Sequence, residues 1–208
     1  MLRTLLLLSG LAPGLLLAQP LRINGHRGGL ISLGIRTTMS AFNEGAWANS
    51  GSGIGGQLRV GLSDRVNTDW FMDYLTGNMG DLAHREDLHI GWSVLYYVLP
   101  GREGRPRVDP YVLAGHCFDH AAITANEDPD IHGERWSSAV QAGIGSHFHV
   151  TDRSDLSLVG QYMIHLGTDL HLDTHDDGDL ELHNEHGASL EGHLLVHVSF
   201  NYILFDAW

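Results

Sequence analysis

The sequence contains no lysine; all twelve basic residues are arginine, which excludes Schiff-base chemistry on a lysine amine. A single cysteine, Cys117, excludes an internal disulfide framework. Positive charge is scarce as well. A net charge of −13 argues against a nucleic-acid partner, whose phosphates need a basic surface. Beyond the N-terminus no segment approaches the ~20 consecutive apolar residues of a membrane helix. If the mature chain lies in a membrane, only a closed β-barrel can satisfy its backbone there.

The N-terminus reads differently from the rest. Met1-Leu2-Arg3 gives a short basic start, and the apolar run from Leu5 to Leu17 is interrupted by Ser9, Gly10, Pro13 and Gly14. Ala18 before Gln19 supplies a small residue at a cleavage point. The run is too short and broken for a stable anchor, so residues 1–18 are expected to be a removed signal peptide. Residues 19–208 are then expected to form one domain.

What the chain has in abundance is alternation. Apolar residues recur with period two over about 29–39, 54–64, 67–76, 88–99, 109–118, 136–150, 155–175 and 179–205. In the fourth segment Ile90, Trp92, Val94, Tyr96 and Val98 alternate with His89, Gly91, Ser93 and Tyr97. The last carries Leu194, Val196, Val198, Phe200, Tyr202 and Leu204 toward the terminal Trp208. A soluble sandwich also alternates, but here the segment count is even and the links differ in length. Those near Asp64–Asn67, Pro100–Arg107 and Thr151–Ser154 are tight. Those near Ala41–Ser52, Gly77–Asp87, Phe118–Arg135 and the last hairpin tip are longer, or belong to strands that overshoot a bilayer. Signal cleavage leaves the N-terminus in the periplasm, which puts the tight links inside and the long ones outside. Arg65, Arg102, Arg105, Arg107 and Arg153 all fall in the inner links. Trp70, Trp92, Tyr96, Tyr111, Tyr162, Tyr202 and Trp208 share the apolar parity, as interfacial girdles require. The reading is all-β: an eight-stranded antiparallel up-and-down transmembrane barrel.

Three segments and the aromatic end carry a family resemblance. They are Gly55-Gly56-Gln57-Leu58-Arg59-Val60, Asn67-Thr68-Asp69-Trp70-Phe71-Met72-Asp73-Tyr74 and Pro110-Tyr111-Val112-Leu113-Ala114-Gly115. With these the mature chain resembles the small eight-stranded outer-membrane barrels of the OmpA-barrel and OmpX-like type, and the Bacteroidetes-type outer membrane protein β-barrel domain. Asp206 departs from the pattern, standing where such C-termini carry an apolar residue. The resemblance implies a bacterial outer-membrane location and contact with outer-membrane lipid and lipopolysaccharide. It also implies delivery to the barrel-assembly machinery through the strand ending in Trp208, and a monomer. Members range from structural proteins to adhesins, so no activity carries over.

An eight-stranded barrel has room for side chains and little else. The inward parity here carries Arg36, Arg59, Asp69, Asp73 and Glu191. Barrel closure brings Glu191 beside Arg36, and Arg59 neighbours the aspartates of the third strand. Buried charges must pair, so a salt-bridged plug is expected in preference to a gated pore. Seven of the fifteen histidines, His89, His116, His147, His149, His165, His193 and His197, are also assigned to the inward face. There imidazole serves as a polar filler.

The final hairpin suggests a binding site. A turn at Asp176-Asp177-Gly178 pairs His175 with Asp179, Asp173 with Glu181, His171 with His183 and Asp169 with Glu185. Opposed acids repel, and a divalent cation would relieve them: Ca²⁺ or Mg²⁺ through carboxylates, or Zn²⁺, Cu²⁺ or Ni²⁺ through imidazoles. The bland alternative is a solvated acidic hairpin. No resident cofactor and no catalytic residue is expected. GxSxG is absent, and a lipid-modifying enzyme would need a Ser–His–acid group facing the lipid. The functional expectation is a structural, envelope or adhesion-type barrel; a metal-binding barrel or secreted protein is the second reading, and a lipid-modifying enzyme the third.

Overall fold

The computed structural model describes residues 26–42, 50–99, 107–166, 169–174, 180–185 and 192–207. Eight strands close into a barrel: β1 (Leu30–Phe42), β2 (Ser50–Gly61), β3 (Val66–Met79), β4 (Ala83–Tyr97), β5 (Val108–Ala125), β6 (His132–His149), β7 (Ser154–Leu166) and β10 (Gly192–Asp206). Each pairs antiparallel with its neighbour in the chain, except that β10 joins β7 and closes on β1. Between them β8 (Asp169–Thr174) and β9 (Leu180–Glu185) form a separate two-stranded sheet. The expected fold is therefore the observed one.

Partners can be followed once round the wall: Ile31, Val60, Thr68, Val94, Ala114, Ala142, Tyr162, Leu194, and then Ala41. The circuit returns to β1 ten residues from its start, the stagger that tilts strands by roughly 35–45°. The start of β1 and the end of β10 meet at one rim, where Ala207 N–H donates to the Gly29 carbonyl at 2.8 Å. Two tight links of this terminal rim are self-closing. Ser63 Oγ accepts from the Arg65 and Val66 amides (3.3 and 3.1 Å), and Thr151 Oγ from those of Arg153 and Ser154 (3.2 and 3.0 Å). The arginines of these links donate to the aromatic ring of the wall, Arg65 to Tyr96 Oη (3.2 Å) and Arg153 to Tyr202 Oη (3.4 Å).

The structure decides one expectation and corrects two. The stretches at 77–87 and 118–135, read as long links or as strands that overshoot a bilayer, are mostly strand: β3 and β4 are joined by residues 80–82, with Gly80 at φ 58°, and β5 and β6 by residues 126–131. A transmembrane strand needs only about 9–11 residues, so these 14- to 18-residue strands overshoot the bilayer at the hairpin rim. The runs expected at 155–175 and 179–205 are not single strands; they divide into β7 with β8 and β9 with β10. Finally, the facing of β5 is the reverse of that expected. Tyr111 is buried inside, whereas His116 lies on the outer wall, where its Nε2 meets Ser138 Oγ at 2.6 Å. Both parities of β5 are apolar, with Tyr111, Leu113 and Cys117 on one and Val112, Ala114 and Phe118 on the other. The acids Asp109 and Asp119 decide which parity turns inward.

The wall is inside-out. Ile35, Ile54 and Ile144 are 72%, 71% and 69% exposed, while Arg36, Arg59 and Asp73 are 7%, 5% and 1% exposed. In water that arrangement would present a continuous apolar surface far larger than monomeric proteins carry. In lipid it buries the apolar face and leaves every barrel strand paired on both sides, with no open edge in the barrel. The chain is built as a transmembrane barrel.

Candidate functional site

Among the described residues the lumen holds three ionic layers, the first two joined through Asn201 and the third set off by an apolar plug. Nearest the terminal rim, Asp155 is a hub. It takes Arg59 Nη1 on both oxygens (3.3 and 3.4 Å), and its Oδ1 also accepts from Asn201 Nδ2 (3.0 Å) and the Ser157 hydroxyl (3.2 Å). His147 bridges Ser157 Oγ (2.6 Å) to Tyr97 Oη (3.0 Å), and Asn67 Nδ2 donates to that same phenol at 2.6 Å. Arg27, which precedes β1, reaches in from below. Its Nε donates to Asp109 at 2.8 Å, and its guanidinium lies 4.3 Å from the centre of the Tyr97 ring. The Arg27 amide also donates to Asp64 Oδ1 at 3.0 Å, and His26 Nδ1 lies 3.2 Å from Asp64 Oδ2. These two contacts, the amide first, hold the Asp64 carboxyl below the usual aspartate range. The cavity left among Arg27, Arg59, Tyr97, Asp109, His147 and Asp155 is about 30 Å³, room for a water or two.

In the middle layer Arg36 pairs with Asp73 two strands away, and its guanidinium lies 4.3 Å from the centre of the Phe71 ring. Around them runs an amide chain: Gln161 Nε2 donates to Gln141 Oε1 (2.8 Å), Gln141 Nε2 to Ser93 Oγ (2.8 Å), and Gln57 Nε2 to Asn201 Oδ1 (2.6 Å). A second cavity of about 20 Å³ lies among Arg36, Arg59, Asp69, Tyr111 and His197. Phe71, Leu75, Cys117, Ala139, Met163 and Leu195 then form an apolar plug.

Toward the hairpin rim, Asp119 stands between two imidazoles, with His89 Nε2 at 3.1 Å and His165 Nδ1 at 3.2 Å. Arg85 Nε donates to both oxygens of Asp87 (2.9 and 3.1 Å). His193 packs its ring against those of His89 and His165, with centroids 5.7 and 4.9 Å apart.

The residues singled out from sequence fall as follows. Arg36, Arg59, Asp69 and Asp73 all line the lumen. The carboxylate of Arg36 is Asp73, whereas Glu191, expected beside it, lies outside the described residues. Arg59 stands opposite Asp69 in the ladder, as expected of a neighbour of the third-strand aspartates, but its ion pair crosses the lumen to Asp155. In the hairpin the backbone register sets Asp169 opposite Glu185, His171 opposite His183 and Asp173 opposite Glu181, the same pairs that the sequence gives. His175, Asp179 and the 176–178 turn lie outside the described residues, as does Trp208. Sequence reasoning missed Asp155, Asp109, Asp119, Asp87 and Arg27. The parity of Ser157 and Gln161 pointed to Asp155; the reversed reading of β5 concealed Asp109 and Asp119.

No protein-family model and no curated protein sequence matches this chain. Solved structures do. The outer membrane protein OprG of Pseudomonas aeruginosa superimposes with a TM-score of 0.55 at 14% identity, covering 89% of this chain and 100% of that one. A major outer membrane protein of Thermus thermophilus gives 0.54 at 10% identity, covering 84% and 99%. Ail, the attachment invasion locus protein of Yersinia pestis, gives 0.51 at 10% identity, covering 85% and 99%. At these identities the likeness is one of fold, and the fold is the small eight-stranded barrel of bacterial outer membranes.

Proposed function

We propose that this protein is a monomeric outer-membrane barrel that acts through its surface, in an envelope-supporting or adhesive role, and conducts nothing through its lumen. The carrying observation is the lumen itself: ion pairs and amides cross it at successive levels, and two cavities among the described residues are about 30 and 20 Å³. Among the described residues, what remains available to partners is the wall and the overshooting strands at the hairpin rim. The similarity in fold to an attachment protein supports an adhesive reading. Outer-membrane lipid and lipopolysaccharide are its surroundings on this account, and the strand ending in Trp208 is the segment offered to the assembly machinery. Planar-bilayer recording tests the closed lumen. The expected result is no steady conductance; sustained nanosiemens-scale currents would overturn it.

A second reading, divalent-cation binding by the hairpin, is supported by the register that opposes Asp169 to Glu185 and Asp173 to Glu181. Calorimetric titration with Ca²⁺ is expected to show binding that Asp173→Ala/Glu181→Ala abolishes. Unchanged affinity in that double variant removes the reading.

A further inference from the structure

The hairpin-rim layer of the lumen contains donor atoms that the surrounding protein leaves unused. Asp87 and His89 sit two residues apart on the inward face of β4, and Asp119 is the cross-strand partner of His89 on β5. Ligand atoms of the three residues all lie within 4.8 Å of one another. His89 and Asp119 are 1% and 0% exposed, so water cannot serve these atoms from outside.

The two oxygens of Asp119 are treated unequally. Oδ2 accepts from the Ser137 hydroxyl at 3.4 Å, faces His165 Nδ1 at 3.2 Å and lies 3.9 Å from Arg135 Nη2. Oδ1 has no hydrogen bond, and neither does either ring nitrogen of His89. His89 Nε2 and Asp119 Oδ1 approach to 3.1 Å without the alignment of a hydrogen bond. That separation is what two ligands on one ion show when each bond is about 2.0–2.2 Å. Asp87, for its part, is oriented by Arg85, as ligating carboxylates are by their outer partners.

We propose that Asp87, His89 and Asp119 bind a divalent transition-metal ion inside the barrel. The charge balance selects the class. Arg85 and Arg135 already offset the two carboxylates, so Ca²⁺ and Mg²⁺, which depend on excess negative oxygen charge, gain little. An ion that bonds to imidazole nitrogen, Zn²⁺, Cu²⁺ or Ni²⁺, keeps its main attraction. The rings of His165 and His193 border the site. This site shares no residue with the hairpin and does not depend on cation binding there.

The test uses the mature chain refolded from urea into detergent micelles with Zn²⁺ present, folding being checked by gel mobility before and after boiling. In the hairpin variant His171→Gln/Asp173→Ala/Glu181→Ala/His183→Gln, which removes the carboxylate pair along with the imidazoles, one tightly held equivalent of Zn²⁺ is expected to survive dialysis, and none of Ca²⁺. Adding His89→Asn is expected to weaken zinc binding tenfold or more. Loss of the tight equivalent in the hairpin variant alone overturns the proposal, as does its retention at full affinity in a folded His89→Asn protein. Zinc-edge X-ray absorption on the hairpin variant needs no lumen substitution. It is expected to show oxygen together with imidazole nitrogen at about 2.0–2.1 Å, and a shell lacking imidazole overturns the proposal.

Discussion

Arg36→Ala is expected to destabilise the barrel by about 3–5 kcal/mol, because it strands a carboxylate in a site that water cannot reach. The Asp73 side chain is 0% exposed and Arg36 is its ion-pair partner. The pair spans β1 and β3, with Gly55 of β2 between them in the ladder. Gly55 is where the absence of a side chain matters, since a methyl group there would collide with the Asp73 carboxylate and the Met72 carbonyl. Removing both charges is a different experiment. Arg36→Met/Asp73→Leu is expected to lie near wild type, since a well-packed apolar pair of similar volume replaces an ion pair at little net cost. Urea unfolding in detergent reads both. Equal destabilisation by the single and double variants would contradict the assignment of Arg36 and Asp73 as a self-contained pair.

The second large effect belongs to the other face of the wall. Ile144 is 69% exposed on β6 and points away from the lumen. Ile144→Arg is expected to cost about 2–4 kcal/mol in lipid vesicles, the penalty of an arginine near the bilayer midplane. In a soluble β protein the same change at an exposed position would fall within about ±0.5 kcal/mol. Equilibrium folding into vesicles of the two proteins side by side therefore separates a membrane wall from a soluble one.

Much of this was legible because a membrane barrel writes its two faces into alternate residues. Segments such as 88–99, apolar on one parity and polar on the other, gave strand and facing together. The hairpin register followed from a three-residue turn and came out residue for residue between β8 and β9. β5 resisted for a physical reason. Its lumen face packs Tyr111, Leu113 and Cys117 against other side chains, so it is as apolar as the face toward lipid. There the informative residues were Asp109 and Asp119, which cannot face hydrocarbon.

Partner choice inside the lumen was less legible. Alternation says that Arg36 and Arg59 point inward, but not how far a guanidinium reaches across a closed ring. Arg59 passes over Asp69 in the ladder to reach Asp155, where Asn201 and Ser157 share the same carboxylate. The extent of the strands was only half legible. Asn78, His84, Thr124 and His132 lie in stretches that read either as long links or as strands overshooting a bilayer, and they continue the β ladder beyond the apolar belt. Backbone pairing needs no apolar face once the wall has left the lipid.

A folded barrel resident in the outer membrane is tested most directly by fractionation followed by gel electrophoresis of boiled and unboiled samples. The expected result is a band in the outer-membrane fraction whose mobility changes on boiling, as a detergent-resistant closed barrel unfolds. A band in the soluble periplasmic fraction with the same mobility before and after boiling would contradict it.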